Sequence, residues 1–409
     1  MGLKNINSEC DTVYISLFGE YHSEIQSLFR STLGIKILFF LKDDAWSLPD
    51  LREKTGSSLP AILSKINAFI DEGLIERVRD GYVLTNSARI ITTHMTDFIA
   101  VVGMLNTQSN EGDGELMNTV PLECIHEINP IDAFMDNRAT IQTCFRSWIV
   151  AGILLALSAG EKTRLQLREV SDCTANALTP RIRWLEARGL IQEMGYNYAL
   201  TPAGRAVVAK MEQFIATFAS LTRQRDFWND HSLEQLPDFA LHSFGKLVDA
   251  EIVRDNPTNY LMNYEHYMNL LAEATYIRGL STMANPSIAD AIGARVEEGV
   301  PVELIISPDL ACQLCQEPYR QKIEYISTFE NMRFHVTELP IPMGLTVTDR
   351  CMSSKLFAKD SAMYDMQNGL FCVSPEARAW GERLFEYYKV HSIPMEEFVH
   401  SSGLAPEDP

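Results

Sequence analysis

The hydrophobic and polar positions of the N-terminal half predict a small helical module that ends in a β-hairpin. Apolar residues recur at helical spacing in its first stretch, namely at Leu33, Ile37, Leu38 and Leu41. Two short apolar strands are predicted at 74–78 and 82–84, on either side of a polar turn that contains Asp80 and Gly81. A long helix from about residue 87 to residue 105 follows the hairpin.

The same pattern returns 116 residues further along the chain. Residues 18–100 share 25 identities with residues 134–216 without a gap, whereas chance would give about five. The repeated segments include Gly73–Ile75, which returns as Gly189–Ile191. We therefore interpret the N-terminal half as a duplication. Its predicted parts are copy one in residues 1–110, a connecting segment in 111–139 and copy two in 140–225.

Each copy resembles a winged helix-turn-helix domain. In such domains short helices precede a two-stranded ribbon, one helix can enter the major groove of DNA, and the hairpin rides on neighbouring phosphates. The resemblance implies that the partner is double-stranded DNA. Winged helices also serve as dimerisation or protein-contact modules, so a purely structural role for both copies stays open.

Charge is distributed unequally along the chain, whose formal net charge is −19. Residues 28–100 carry nine basic and nine acidic side chains, whereas residues 140–225 carry eleven basic and six acidic ones. Residues 226–409 carry thirteen basic and twenty-eight acidic side chains. Because phosphate backbones attract Lys and Arg, copy two is the stronger candidate for DNA binding, and the acidic C-terminal region should not touch DNA.

Four polar residues of copy two are candidates for contacts with bases or phosphates. They lie at the early, exposed end of the predicted recognition helix: Asn176, Thr179, Arg181 and Arg183. Asn suits adenine edges, and Arg suits guanine edges or phosphates. The inner stripe, expected in the core, is Leu178, Ile182 and Leu185. Because Thr179 and Pro180 also form a good N-cap pair, the helix is predicted to start at Thr174 or at Thr179.

Copy one offers fewer cations for the same task. Lys65 lies in the segment that corresponds to the recognition helix, and Arg77 and Arg79 lie on the predicted wing. Either this wing touches phosphate, or the whole copy has become a dimerisation or spacing element.

From residue 226 onwards, apolar strands alternate with helices. This pattern predicts an α/β domain over residues 226–395 and a flexible tail over 396–409. A final helix is expected to begin at Ser374 and Pro375. The predicted strands are 276–282, 302–307, 333–339, 345–349, 354–358 and 370–373.

Several segments of this half are similar to the archaeal FilR-type methanogenesis regulatory proteins, a family of transcription regulators. They are Phe227-Trp228, Leu236-Pro237, Gly299–Leu304, Ala379–Glu382 and Leu384–Tyr388. The usual member has one winged helix in front of this domain, so residues 140–395 match the layout and copy one is an additional unit. The resemblance implies a cytoplasmic regulator from an archaeal methanogen.

The C-terminal layout is also similar to the phospholipase-like effector domain of archaeal sugar-responsive regulators. An active site of that type needs a His-x-Lys pair, in which His is the nucleophile and Lys holds the phosphate. No His in the sequence is followed by Lys two residues later, and His242 is followed by Lys246 four residues later. We therefore interpret the domain as a non-catalytic sensor or dimerisation domain and do not expect an enzyme.

Cys312 and Cys315 have the spacing of metal or redox ligands. One such pair supplies half of a four-ligand zinc site. The alternative is that both are incidental thiols of a helix. No cofactor is predicted.

Candidates for an effector site are scattered over the C-terminal domain. They are Arg278, Tyr276 and Asp349. For Asp349, a surface ion pair with Arg350 is the alternative. A set of tyrosines could cap an apolar ligand, although its helical spacing also suits plain packing: Tyr260, Tyr264, Tyr267 and Tyr276.

The longest apolar run, residues 148–157, has about half the length of a membrane span. We therefore expect a cytoplasmic protein without membrane attachment. The hypothesis is a homodimeric, DNA-binding transcription regulator in which a signal or small molecule in the C-terminal domain shifts the arrangement of the winged helices. The alternatives are an adaptor that uses winged helices for protein contacts, and a redox sensor that uses Cys312 and Cys315.

Overall fold

The computed structural model describes residues 13–108, 128–359, 361 and 363–402. Contacts divide the chain into two compact units, Met1–Arg225 and Asp226–Pro409.

The first unit contains two successions of helices, each followed by a hairpin and a long helix. The elements of copy one are α1 (Val13–Glu20), α2 (His22–Arg30), α3 (Thr32–Phe40), α4 (Leu48–Thr55), α5 (Leu59–Asp71), β1 (Ile75–Val78), β2 (Gly81–Leu84) and α6 (Asn86–Gln108). Those of copy two are α7 (Pro130–Arg146), α8 (Trp148–Ser158), β3 (Lys162–Thr163), α9 (Arg164–Val170), α10 (Ala175–Glu186), β4 (Ile191–Met194), β5 (Asn197–Leu200) and α11 (Pro202–Arg223). A short helix, α12 (Arg225–Asn229), follows. Both hairpins begin and end at positions displaced by 116 residues.

Local sequence explains where these helices begin. Ser47 and Asp50 form a capping box at the start of α4, and Thr163 and Gln166 form one at the start of α9. At the start of α7, the Asn129 side chain accepts hydrogen bonds from the first backbone N–H groups. The predicted connecting segment, 111–139, thus contains the first part of helix α7, and residues 109–127 lie outside the described part of the chain.

A shared core joins the two copies. The rings of Phe98 and Phe145 lie 4.7 Å apart, and those of Phe145 and Phe214 lie 5.3 Å apart, measured between centroids. The Gln142 amide donates to the backbone oxygen of Phe29 at 2.9 Å. Long helices α6 and α11 pack against each other. The copies therefore fold as one body and not as separate modules on a linker.

Helix α6 is apolar over most of its length. Its stretch Asn86–Leu105 is long and apolar enough to cross a membrane, and 67% of that stretch is buried inside the structure. The pair α7 and α8, bent by 81°, meets the same criterion only when it is taken as one span. The burial of α6 is that of a core helix.

The second unit is built on an eight-stranded sheet. Its strand order is β13-β9-β8-β7-β10-β11-β12-β6. The pairs β7–β8 and β8–β9 are parallel, and the other pairs are antiparallel. The strands are β6 (Glu251–Arg254), β7 (Ile277–Ser281), β8 (Val302–Ile306), β9 (Met332–Thr337), β10 (Met343–Thr348), β11 (Met352–Leu356), β12 (Asn368–Cys372) and β13 (Ser392–Pro394). The six predicted strands are confirmed within a few residues, and β6 and β13 were not predicted.

Helices cover both faces of this sheet. They are α13 (Asp238–His242), a 3₁₀ turn (Phe244–Leu247), α14 (Met262–Glu273), α15 (Pro286–Glu297), α16 (Pro308–Leu314), α17 (Arg320–Ile326), α18 (Pro375–Val390) and α19 (Met395–Ser401). Side chains alternate between the faces of a strand. On β10, Thr346 bonds to Tyr267 of α14, whereas Val347 faces Gly381 of α18. Helices α14 and α18 therefore cover opposite faces.

The predicted flexible tail is wrong for residues 396–402. Helix α19 follows directly on strand β13, and its residues Met395 and Phe398 are both 8% exposed within the hydrophobic core. Burial of these two apolar side chains stabilises the helix against the sheet. Residues 403–409 lie outside the described part of the chain.

Candidate nucleic-acid interface and effector region

Helices α9 and α10 of copy two are joined by a tight turn. Asp172 in this turn has φ of 42°, in the left-handed region that Asp tolerates better than most residues. The Thr174 side chain then accepts a hydrogen bond from the Ala177 N–H and begins α10. Of the two predicted starts, the structure has the one at Thr174, and Pro180 lies inside the helix.

The predicted inner stripe of α10 is confirmed. Leu178, Ile182 and Leu185 are 0%, 4% and 0% exposed. With about 100° per residue, the positions on the opposite side of the helix are 176, 180, 183 and 187. These are Asn176, Pro180, Arg183 and Ala187, and all four are exposed. Asn176 and Arg183 thus share the outer face, roughly 10 Å apart along the axis, with only small side chains between them.

The other two candidates of α10 flank this face. Arg181 is exposed. The Thr179 hydroxyl accepts from the Arg164 guanidinium and donates to the backbone oxygen of Ala175, so it acts inside the protein. Sequence reasoning missed Arg164 and Arg168, two exposed guanidiniums on α9. The local excess of basic residues was the signal that could have found them.

The wing of copy two carries no basic side chain. Its exposed residues run from Gln192 to Tyr196, and Tyr196 at the tip is 95% exposed. Gly195 turns the hairpin with φ of 65°. Sequence reasoning also missed Tyr196, whose ring and hydroxyl can reach a sugar or a phosphate.

In copy one, Lys65 turns inwards. Its Nζ lies 4.2 Å from the centroid of the Phe69 ring, on the same helix, and its side chain covers Gly34. Burial lowers the pKa of Lys65. The outer face of α5, at positions 116 residues before those of α10, is Pro60, Ser64, Asn67 and Asp71. This face carries no cation, so helix α5 does not repeat the surface of α10.

The wing of copy one is basic instead. Arg77 and Arg79 are both exposed. The Arg77 guanidinium lies 5.5 Å from the Tyr82 ring and donates to the Tyr82 hydroxyl at 3.4 Å. The two copies therefore place their guanidiniums on different elements, the helix in copy two and the wing in copy one.

Two of the effector candidates belong to a network of charges. Arg278 donates to Glu382 at 2.6 Å and to Glu386 at 2.9 Å, and the Tyr276 hydroxyl donates to Glu382 at 2.8 Å. Burial, with Glu382, raises the pKa of Tyr276 to about 12. This network lies on the face of the sheet covered by α18.

Asp349 follows directly on β10, whose last residue, Thr348, pairs with Ile277 of β7. Its Oδ1 accepts a hydrogen bond from the Thr275 N–H at 2.8 Å, and Arg350 lies 3.9 Å from its other oxygen. Although burial opposes it, the Thr275 hydrogen bonds hold the pKa of Asp349 below its ordinary value. The Asp349 carboxylate thus bonds to the backbone of Thr275, the residue before Tyr276, whereas the side chains of Tyr276 and Arg278 bond to Glu382.

Cys312 and Cys315 lie at the C-terminal end of α16. Both are half-buried against the hydrophobic core. Burial raises the pKa of Cys315, which disfavours the thiolate. Within residues 13–108 and 128–402, apart from 360 and 362, no group of three or more His, Cys, Asp or Glu side chains is placed to hold a metal ion.

Comparison with known solved structures gives only weak likenesses. An archaeal chromatin protein, TrmBL2, covers 60% of this chain and 93% of its own at 16% identity and a TM-score of 0.29. The phospholipase D family member Nuc from Salmonella typhimurium covers 36% of this chain and 97% of its own at 12% identity and a TM-score of 0.28. At such TM-scores neither likeness carries an argument about this chain.

Comparison of sequences is more informative. Residues 22–103 match the N-terminal domain of the methanogenesis regulatory protein FilR1, residues 263–391 match its middle domain, and residues 138–223 match the HVO_A0261 N-terminal domain. Methanogenesis regulatory protein FilR1 from Methanothrix harundinacea (strain 6Ac) is 26% identical over 262 residues, which are 62% of this chain and 58% of that protein. The two FilR1 domains, one in each compact unit, and this relative place the chain in the FilR1 family of methanogenesis regulatory proteins.

Proposed function

We propose that this protein is a DNA-binding transcription regulator that reads double-stranded DNA with copy two, whose α9 and α10 form a helix-turn-helix. The observation that carries the proposal is the outer face of α10, where Asn176 and Arg183 are exposed above a buried stripe. Arg and Asn are the side chains that pair with guanine and adenine edges in the major groove. The small side chains of Pro180 and Ala187 let this face approach base edges closely.

Both copies are proposed to be winged helices, but with unequal roles. Copy one lacks a cation on the outer face of α5, and its guanidiniums lie on the wing. We propose that copy one supports and orients copy two and touches phosphates with Arg77 and Arg79. The adaptor hypothesis is the alternative for copy one alone, because its helix face, which has no basic side chain, suits a protein contact better than a phosphate contact.

The second unit is proposed to be a non-catalytic sensor whose ligand shifts the DNA affinity of the first. The support is the family name, which is that of a regulator. We further propose that the protein is cytoplasmic, comes from an archaeal methanogen and forms a homodimer of chains. Sedimentation of the full chain tests the homodimer.

The salt dependence of DNA affinity tests the proposal directly. For the full chain on a duplex of mixed sequence, log Kd should rise linearly with log salt, and each lost phosphate contact should lower the slope by about one. The variant Arg181→Ala/Arg183→Ala should bind DNA more weakly than the wild-type protein, and the salt dependence of its log Kd should be less steep. The charge-matched variant Arg77→Ala/Arg79→Ala should lose slope without changing sequence preference.

A flat salt response that neither variant alters would contradict DNA binding and favour the adaptor. If only the Arg77→Ala/Arg79→Ala variant loses DNA affinity, the proposed reading of DNA by α10 is contradicted. Cooperative unfolding of each variant shows that the fold is kept.

A further inference from the structure

An apolar cavity of about 240 Å³ lies inside the second unit. It is enclosed between the sheet, chiefly strands β7, β8 and β10, and the helices α14 to α17. None of Arg278, Tyr276 and Asp349 lines it. The cavity is therefore separate from the charge network of Arg278.

Its walls are mostly aliphatic and aromatic, with a few polar residues among them. Leu280, Ile292, Leu304 and Phe334 are among the lining residues. Two neighbouring strands contribute glycines, Gly279 on β7 and Gly344 on β10, where side chains would occupy space. A Cβ at Gly279 would lie 2.8 Å from the Leu304 side chain. An apolar cavity that stays empty lowers the stability of the fold. An apolar ligand that fills it restores the van der Waals contacts that the lining side chains lack.

Two of the tyrosines singled out in the sequence, Tyr264 and Tyr267, line the cavity. The Tyr267 hydroxyl lies 2.9 Å from the Thr346 Oγ1. This pair of hydroxyls offers a ligand a hydrogen-bonding position on a mostly apolar wall, and the buried Oδ1 of Asn263, also in the lining, offers a second acceptor. Two tyrosines thus do more than pack, whereas Tyr260, 76% exposed, and Tyr276 are not part of the lining.

Among the described lining residues, Lys355 is the only charged one. Its Nζ donates to the backbone oxygens of Met366 at 3.2 Å and Asn368 at 2.9 Å. The ammonium is therefore occupied in holding the 365–368 segment. A strongly acidic ligand would find no free cation on these walls.

Methionines stand where the cavity meets the surface. Met283 and Met366 line it and are 45% and 51% exposed. Unbranched thioether side chains are flexible and adapt to ligands of different shape. Side chains of this kind can adjust to an apolar molecule that enters between them.

We propose that this cavity binds an uncharged, mainly lipophilic small molecule with one or two hydrogen-bonding groups, and that this molecule is the effector. An apolar cavity of about 150 Å³ accepts benzene, so this one has room for about ten non-hydrogen atoms. Binding itself follows from the cavity alone, whereas the role as effector rests on the proposed function.

The test uses 1-octanol and naphthalene as probes and glucose as a polar comparison. Calorimetry on the full chain should show one saturable site for each apolar probe and none for glucose. Ala289 lines the cavity from α15, and Ala294 on the same helix is exposed and outside the lining. Ala289→Phe should weaken probe binding at least about tenfold by filling the cavity, and Ala294→Phe should leave it unchanged.

The inference is overturned if the wild-type protein binds neither probe. It is also overturned if Ala289→Phe binds the probes as tightly as Ala294→Phe does. If Ala289→Phe does not unfold cooperatively, the smaller Ala284→Leu, also in the lining, replaces it.

DNA affinity is measured with and without saturating 1-octanol. If 1-octanol changes the DNA affinity of the wild-type protein and of Ala294→Phe but not that of Ala289→Phe, the effector role is supported. If 1-octanol leaves the DNA affinity of the wild-type protein unchanged, the effector role is overturned. Probe binding without any salt-dependent DNA binding would instead refute the proposed function and leave the ligand site standing.

Discussion

The ring of Phe29 stacks on the ring of Phe145, with centroids 4.3 Å and planes 11° apart. These residues are equivalents in the 116-residue repeat. Phe98 and Phe214, a second pair of equivalents, pack against the same stack. Contact of a residue with its own equivalent is the mark of an isologous interface, as in a two-fold dimer. The two copies thus pair within one chain as two subunits of a dimer would.

Removing one ring of this stack should destabilise the first unit. Phe29→Ala empties a fully buried site and should lower the free energy of unfolding by about 3–5 kcal/mol. Urea denaturation followed by circular dichroism measures it. Leu165→Ala, at a side chain 54% exposed, is the control and should change stability by less than about 0.5 kcal/mol. A loss at Phe29 no larger than the control's would show that the copies are not held by this stack.

Substitutions in the two equivalent turns should affect the free energy of unfolding differently. Gly56 has φ of 66°, and no atom lies within 4 Å of the position that a Cβ would take there, so Gly56→Ala has only a backbone cost, about 1–2 kcal/mol. Asp172 holds the same kind of conformation with a side chain, so Asp172→Gly should be neutral or stabilising by up to about 1 kcal/mol. Urea midpoints of the two variants decide the matter. Destabilisation by both would mean that the Asp172 side chain stabilises its turn.

Lys355 should make the second unit more stable as pH rises. Burial lowers its pKa from 10.5 to about 8. Between these values the unfolded chain binds more protons than the folded one, so the free energy of unfolding increases with pH across this window. Below the folded pKa the ammonium is charged in both states, and the cost of burying it is complete. Thermal unfolding at several pH values, wild type against Lys355→Met, measures the difference. Parallel curves for the two proteins would contradict the lowered pKa.

The pKa of Tyr276 should report the hydrogen bond to Glu382. Burial comes first among the causes of its raised pKa of about 12, and Glu382 adds to it. Glu382→Gln should therefore lower this pKa, as followed by ultraviolet absorbance of tyrosinate. Glu386→Gln is the matched control, because Glu386 contacts Arg278 and not Tyr276. If both variants lower the pKa of Tyr276 equally, the overall negative charge of α18 and not the hydrogen bond to Glu382 contributes to the raised pKa.

Local patterns in the sequence predicted the elements well. The stripe of Leu178, Ile182 and Leu185 follows from helical periodicity, which depends only on neighbouring residues. Strand β6 (Glu251–Arg254) escaped prediction because it is a short edge strand without a buried face, with only intermediate and exposed positions. Asn129 followed by Pro130 is likewise a local signal for the start of a helix, and α7 begins there.

Contacts between distant segments were out of reach of sequence reasoning. The side chain of Lys65 covers Gly34 of another helix, a contact that the sequence around Lys65 does not show. Stacking of Phe29 on Phe145 depends on how the repeats pair, which the repeat alone does not determine. The cavity is formed by strands and helices far apart in sequence, and only Tyr264 and Tyr267 hinted at it.

The unequal surfaces of the paired copies have a consequence for orientation. A homodimer of identical winged helices meets a palindromic site equally well in either direction. Here the pair within one chain joins a basic helix in copy two to a basic wing in copy one, so its two halves are chemically distinct. Under the proposed function, each chain would therefore lie in one direction along its own half-site, and the two chains of the proposed homodimer would run in opposite directions along the duplex.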